Sequence, residues 1–162
     1  APASIPPVLL AGAQGDRIMN RSPELDRLVR FYEGIDAATL GARLAGVYAN
    51  DAYFKDPFNE VRGRDAIERI FAHMFRQVDN PRFAVVTAVQ QGKDAFVTWE
   101  FRFCMKRFSA EGQCIRGASH IVFDAAGAVA VHRDYWDAAE ELYEKLPLLG
   151  AFMRMLKRAA AR

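Results

Sequence analysis

The sequence predicts an α+β domain in which helices come first and then pack on one side of a curved antiparallel sheet. Three observations predict it. Two early segments carry apolar residues at helical spacing: Leu25, Leu28, Val29 and Tyr32, then Ile67, Ile70, Phe71, Met74, Phe75 and Val78. From residue 83 onward the period changes to the alternation of strands, with Gly92 and Gly127 placed as hairpin turns. No internal repeat is visible, and 162 residues are enough for one domain with a substantial core but short for two.

The elements follow in order. Residues 1–21 are rich in Pro, Ala and Gly, make a poor signal peptide because no basic region opens them, and are expected to be disordered or loosely packed. Residues 22–162 are expected to form the single domain. Ser22, Pro23 and Glu24 start the first helix with a capping hydroxyl, a proline at the first turn and an acid at the positive dipole end. A second helix is expected over 37–48, with Leu40, Leu44 and Val47 inward. A short strand at Tyr53 and Phe54 and a helix over 64–78 come next. Strands are expected at 83–91, 95–107, 113–124 and 128–137, joined by GKD, a tip at 109–112 and DAAG. Two helices, about 138–146 and 148–160, close the chain on either side of Pro147.

Composition narrows the function classes. Half the residues are apolar and a quarter charged, which is globular. A net charge of +2 with no basic patch interleaved with aromatics argues against a nucleic-acid partner. No apolar run reaches membrane-spanning length. The last helix carries Arg154, Lys157, Arg158 and Arg162 without an acid; an amphipathic tail covering the domain is the simpler account, and docking on an anionic membrane surface the other. Cys104 and Cys114 flank a hairpin tip without standing opposite each other, so they read as reduced thiols, which fits a cytoplasmic protein. His73, His120 and His132 have no metal-ligand spacing, and neither a nucleophile elbow nor a phosphate loop occurs.

Candidate chemistry gathers in two runs. In the first, Asp56 precedes Pro57, which forces it into an extended conformation at the end of a strand. An Asp-Pro turn explains it on spacing alone; a carboxylate at the mouth of a helix-covered pocket is the functional alternative. In the second, alternation through 131–137 puts His132, Asp134 and Trp136 on one face and Arg133 and Tyr135 on the other. Between them lies the segment 96–103, where Val97, Trp99, Phe101 and Phe103 alternate with Thr98, Glu100 and Arg102. Periodicity by itself reads this as an apolar face in the core and charges in water.

The runs YANDAYFKDPFNEVRGRDAI at 48–67, GASHIVFDAAGAVAVHRDYWD at 117–137 and LPLLG at 146–150 resemble the nuclear transport factor 2-like, or SnoaL-like, superfamily, over about residues 23–150. The resemblance implies a cystatin-like cone whose N-terminal helices pack on the concave face of the sheet. Compared with the ketosteroid isomerases of this superfamily, Asp56 matches the general base and Tyr32 the oxyanion-hole tyrosine, while Ser119 replaces the protonated aspartic acid of that hole. Compared with limonene epoxide hydrolase, Asp134 matches one acid of an Asp-Arg-Asp constellation. Arg102 and Glu100 stand at its other two positions, and Phe54 and Asp56 replace the residues that hold the water. The resemblance also implies that Glu100 and Arg102 face the interior and that the aromatics of their strand form a sheet-face dimer interface. That inward placement is the one expected here.

The expected site therefore has Asp56, Tyr32, Asp134 and His132 as catalytic groups. Asp56 is the proton shuttle, Tyr32 and Ser119 donate to an oxyanion, and His132 with Asp134 is an auxiliary acid–base pair. Glu100, Arg102, Ser119, Phe54, Tyr48, Trp136 and Phe75 are expected to contact a small apolar molecule. No cofactor or metal is implied. The resulting classes are an isomerase, cyclase or lyase using Asp56; a hydrolase activating water at an Asp134–Arg102–Glu100 cluster; and a binding domain without turnover. A homodimer through the sheet is the expected assembly.

Overall fold

The computed structural model describes residues 21–105 and 109–137. The expected extension and the two closing helices lie outside these residues.

The first helix, α1 (Pro23–Glu33), starts where expected. Ser22 is extended, its Oγ accepts from the Leu25 amide at 3.2 Å, and Pro23 opens the first turn. The same hydroxyl donates to Gln90 Oε1 at 2.6 Å, tying the helix start to the end of a distant strand. Leu25, Leu28, Val29 and Tyr32 are buried, and Phe31 widens the stripe.

The second helix is shorter than the pattern suggests: α2 covers only Leu40–Ala45. The Asp36 carboxylate accepts from the amides of Ala38 and Thr39 and from the Thr39 hydroxyl, a local turn that competes with helix. At the other end Gly46 is the C-cap, and the Val47 carbonyl accepts from the Val129 amide. Tyr48 thereby passes from a helix end to the first residue of β1 (Tyr48–Lys55).

A four-residue turn folds the chain back into the short β2 (Glu60–Arg62), which the sequence did not reveal, in register Lys55↔Glu60. Gly63, at φ 96°, then turns the chain into α3 (Arg64–Gln77), a backbone conformation that disfavours any side chain. Ile67 and Phe71 are buried, and Ile70, Met74 and Phe75 pack on the core from its edge.

Four longer strands follow: β3 (Val78–Gln91), β4 (Asp94–Met105), β5 (Ser109–Phe123) and β6 (Val129–Tyr135). Val78 opens β3 instead of closing α3, and β3 runs past Pro81 through a register shift between Asp79 and Arg82. Proline is tolerated there because β3 is an edge strand. Residues 109–112, expected at a hairpin tip, already belong to β5. Arg102 faces Cys114 and Cys104 faces Gly112, so the two thiols are offset, and neither is in a disulfide.

The strands form one curved, open sheet in the order β2-β1-β6-β5-β4-β3. All pairs are antiparallel except β1–β6, which run parallel with Phe54↔His132 and Lys55↔Arg133 in register. The first strand is thus laid beside the last, and the C-terminal ends of both emerge at the same place.

The faces of β4 are opposite to the placement implied by the resemblance. Val97, Trp99, Phe101 and Phe103 are buried, whereas the Arg102 side chain is 64% exposed. Phe83 stacks on Phe101 at 4.4 Å between ring centroids, and Phe101 on Phe103 at 4.8 Å. Burying a large apolar side chain gains about 1.5–3 kcal/mol, while desolvating an ion costs several kcal/mol even after relaxation. Turning this strand over would forfeit the first and incur the second, so simple periodicity prevails. Among the described residues no helix is long and apolar enough to cross a membrane.

Candidate functional site

The parallel β1–β6 pair builds the site. Its two ends, Lys55-Asp56-Pro57 and Arg133 to Asp137, line one cleft of about 550 Å³. Asp56 and Asp134 both reach it, and Trp136 forms part of the wall, held edge-on by Phe58 at 5.4 Å.

Behind the cleft lies a buried polar network. His132, 1% exposed, faces Phe54 across the parallel register at 4.7 Å, and its ring plane lies within 11° of that of Tyr48. Its Nδ1 is 2.7 Å from the Tyr48 hydroxyl and 2.9 Å from that of Tyr32, and the two hydroxyls are 2.8 Å apart. Tyr32 also lies 3.4 Å from Nε2. Nε2 is 2.6 Å from Asp134 Oδ1. Ser119, directly opposite Asp134 on β5, donates to the same oxygen at 2.5 Å. The Trp99 indole N–H donates to Ser119 Oγ at 2.8 Å.

Each link has a local cause. Alternation on β6 sends His132 and Asp134 inward and leaves Arg133 and Tyr135 outside. Trp99 reaches Ser119 because its cross-strand neighbour is Gly117, where a Cβ would come within 2.5 Å of the indole ring. A glycine inside a strand is the signal that could have exposed this contact. Burial, the largest influence on both, pushes the Tyr32 and Tyr48 hydroxyls well above the ordinary tyrosine range. Both therefore remain neutral donors. Asp134, at 16% side-chain exposure, is where the network meets the cleft. Its Oδ1 takes two hydrogen bonds, and its Oδ2 takes none among the described residues.

Asp56 is arranged differently. Its Oδ1 accepts from the amides of Phe58 (2.7 Å) and Asn59 (2.6 Å) and from Asn59 Nδ2 (3.0 Å), and its Oδ2 accepts from Asn59 Nδ2 at 2.9 Å. This is the Asp-Pro turn, with both oxygens engaged.

The expected charge cluster is not assembled. Glu100 pairs with Arg102 at 2.6 Å and with Arg116 at 3.4 Å on the opposite sheet face from Asp134. Its carboxyl is held below the usual range first by the hydrogen bond from Arg102, and the charges of Arg102 and Arg116 act in the same sense. Of the expected contact residues, Trp136 lines the cleft, Ser119, Tyr48 and Phe54 belong to or abut the network, and Phe75 packs on the core edge of α3. Lys55, Pro57, Arg133, Tyr135 and Asp137 also line the cleft, and Trp99 joins the network, although the sequence pattern marks none of them as site residues. His120 lies on the outer face, stacked on Phe96 at 4.7 Å with Nε2 2.8 Å from Asp94. Among the described residues, no group of three or more His, Cys, Asp or Glu side chains could hold a metal ion.

An open curved six-stranded sheet with helices packed on one face is the fold of nuclear transport factor 2-like domains. The chain belongs to the SnoaL-like domain family, whose model matches residues 28–132. No curated protein sequence matches it. Among solved structures it is similar to a hypothetical protein with a ketosteroid isomerase-like fold from Catenulispora acidiphila DSM 44928 in complex with trimethylamine. That match has 14% identity and a TM-score of 0.64, and it covers 76% of this chain and 92% of that one. It is also similar to TerC co-crystallized with polyporic acid, at 16% identity and a TM-score of 0.63, covering 74% and 95%. An LEH-like epoxide hydrolase of M. tuberculosis matches at 13% identity and a TM-score of 0.56, covering 73% and 83%. At these identities the likeness is one of fold.

Proposed function

We propose that the protein is an acid–base enzyme of the isomerase or cyclase type, acting on a small, largely apolar organic molecule in the cleft between the ends of β1 and β6. The observation that carries this is the asymmetry of Asp134. One carboxylate oxygen is occupied by Ser119 and His132, and the other takes no hydrogen bond among the described residues at the cleft. That second oxygen is the base in this reading. Asp56, whose oxygens are engaged by its own turn, shapes the mouth, and Trp136 and Pro57 supply apolar contact. Support comes also from the small organic molecules and activities in the names of the structural neighbours: polyporic acid, an epoxide hydrolase and a ketosteroid isomerase-like fold.

The test is proton exchange at carbon. Pentane-2,4-dione and cyclohexane-1,3-dione in deuterated buffer serve as carbon-acid probes, together with any molecule that mass spectrometry finds co-purifying with the protein. The protein should accelerate deuterium uptake, and Asp134→Asn should lower the rate by about a hundredfold or more, the scale of general acid–base catalysis. Exchange by Asp134→Asn equal to the parent's would sink the assignment. Opening of cyclohexene oxide with labelled oxygen from water would favour the hydrolase reading instead.

We also propose a homodimer through the outer sheet face. Val89, Phe96, His120 and Arg133 stand side by side across four strands, and Val89, Phe96 and Tyr135 are at least half exposed. Apolar groups gathered in this way mark an association surface.

A further inference from the structure

We infer that His132 is a positioning residue, held as the Nε2–H tautomer between Asp134 on one side and the hydroxyls of Tyr32 and Tyr48 on the other, whose task is to pin Oδ1 of Asp134 so that Oδ2 is the oxygen presented to the cleft. The inference rests on the reading of Asp134 as the base, and it assigns the histidine a different part from that of a proton carrier.

The protons of the network can each be placed. Trp99 Nε1 is a donor only, so at 2.8 Å it must use the Ser119 oxygen as acceptor. The Ser119 proton is then left to point at its other neighbour, Asp134 Oδ1. Oδ1 accepts there, as a carboxylate does, and also meets His132 Nε2 at 2.6 Å. Two acceptors cannot face each other at that distance, so the ring proton sits on Nε2. Nδ1 then offers a lone pair to the tyrosines.

The other end closes in the same way. One of Tyr48 (2.7 Å) and Tyr32 (2.9 Å) donates to Nδ1, and the remaining hydroxyl donates to the first across their 2.8 Å contact. Every hydrogen in the network then has an acceptor. With the proton on Nδ1 instead, Nε2 and Oδ1 would meet as two acceptors at 2.6 Å, and the second tyrosine hydrogen would be left with only the long 3.4 Å contact from Tyr32 to Nε2. The two tyrosines thus act on Asp134 through the imidazole, and Trp99 acts on it through Ser119. The ligand-facing oxygen is chosen by residues that never touch a ligand, as happens when outer residues orient a metal ligand.

The test is nitrogen NMR of the full chain labelled at histidine, without any ligand. His132, identified by its loss in His132→Gln, should show a pyridine-like Nδ1 and a pyrrole-like Nε2. In the Tyr32→Phe/Tyr48→Phe double variant the Asp134 carboxylate still demands the Nε2 proton, so Nε2 should stay pyrrole-like while Nδ1 loses the shift that its hydrogen bond imposes. Either single variant, retaining one donor, should preserve the parent pattern, so the single variants keep the proposal testable if the double variant does not fold. A protonated Nδ1 in the parent, or a tautomer lost in both single variants, would overturn the inference. Because no turnover is read, this outcome is independent of the exchange assay. If the tautomer is as expected and Asp134→Asn still exchanges at the parent rate, the function fails and the assignment of tautomer stands.

Discussion

Trp99 donates its indole N–H to Ser119 Oγ at 2.8 Å, linking an aromatic core residue of β4 to the acid of β6 through one hydroxyl. The contact depends on the absence of a side chain at position 117. Gly117→Ala should destabilise the fold by about 1–3 kcal/mol, the cost of overpacking. Trp99→Phe should cost a comparable amount, combining a lost hydrogen bond of about 1 kcal/mol with a cavity. Urea denaturation of each variant measures both.

Alkaline stability follows from the buried tyrosines. In the unfolded chain Tyr32 and Tyr48 release their protons near the ordinary value of 10.0, whereas burial holds them neutral in the fold. Their contribution is complete below about pH 10 and is lost as pH rises beyond it, at about 1.4 kcal/mol per pH unit for each tyrosine. Tyr48→Phe should flatten this limb by one proton's worth, read from denaturation midpoints across pH 9–11.

Asp56 and Asp134 separate by substitution. Asp56→Asn retains an acceptor for the turn amides and should leave deuterium exchange within a few-fold of the parent. Asp56→Ala should lose about 1–2 kcal/mol of stability as the turn's hydrogen bonds go. Loss of exchange in Asp56→Asn with full exchange in Asp134→Asn would reverse the two roles.

The two faces of β4 can be weighed directly. Phe101→Ala should cost about 3–5 kcal/mol, as for a packed core ring. Arg102→Ala, removing a pair whose arginine is mostly exposed, should cost under about 1 kcal/mol. Thermal denaturation that ranked them the other way would refute the assigned faces.

For the outer face, Phe96→Glu should convert a dimer into a monomer in light scattering while leaving the far-UV circular dichroism unchanged. A parent that is already monomeric at high concentration would remove the proposal.

Much of the fold could be read from local signals. Ser22-Pro23-Glu24, Gly63, Gly92 and Gly127 mark helix starts and turns because capping and positive φ are demanded by the neighbouring few residues. Alternation likewise separated the apolar from the charged side of β4 and the inner from the outer side of β6. On β4 that alternation outweighs the orientation implied by the resemblance, because core aromatics gain more from burial than an exposed ion pair could return. The extent of α2 is not legible in its apolar spacing because Asp36 and Gly46 bound it more tightly than that spacing suggests.

By itself, then, the sequence determined an α+β chain with helices ahead of long strands, the partition of each strand into two faces, and His132 and Asp134 on a common side. Only the tertiary structure decided that β1 lies parallel to β6, that Asp56 closes a turn while Asp134 reaches a cleft, and that Tyr32, Tyr48, Ser119 and Trp99 converge on one histidine and one acid. The reason is physical. Local preference acts over a few residues, whereas Tyr32 and His132, 100 positions apart in sequence, meet only through packing of the whole sheet against its helices.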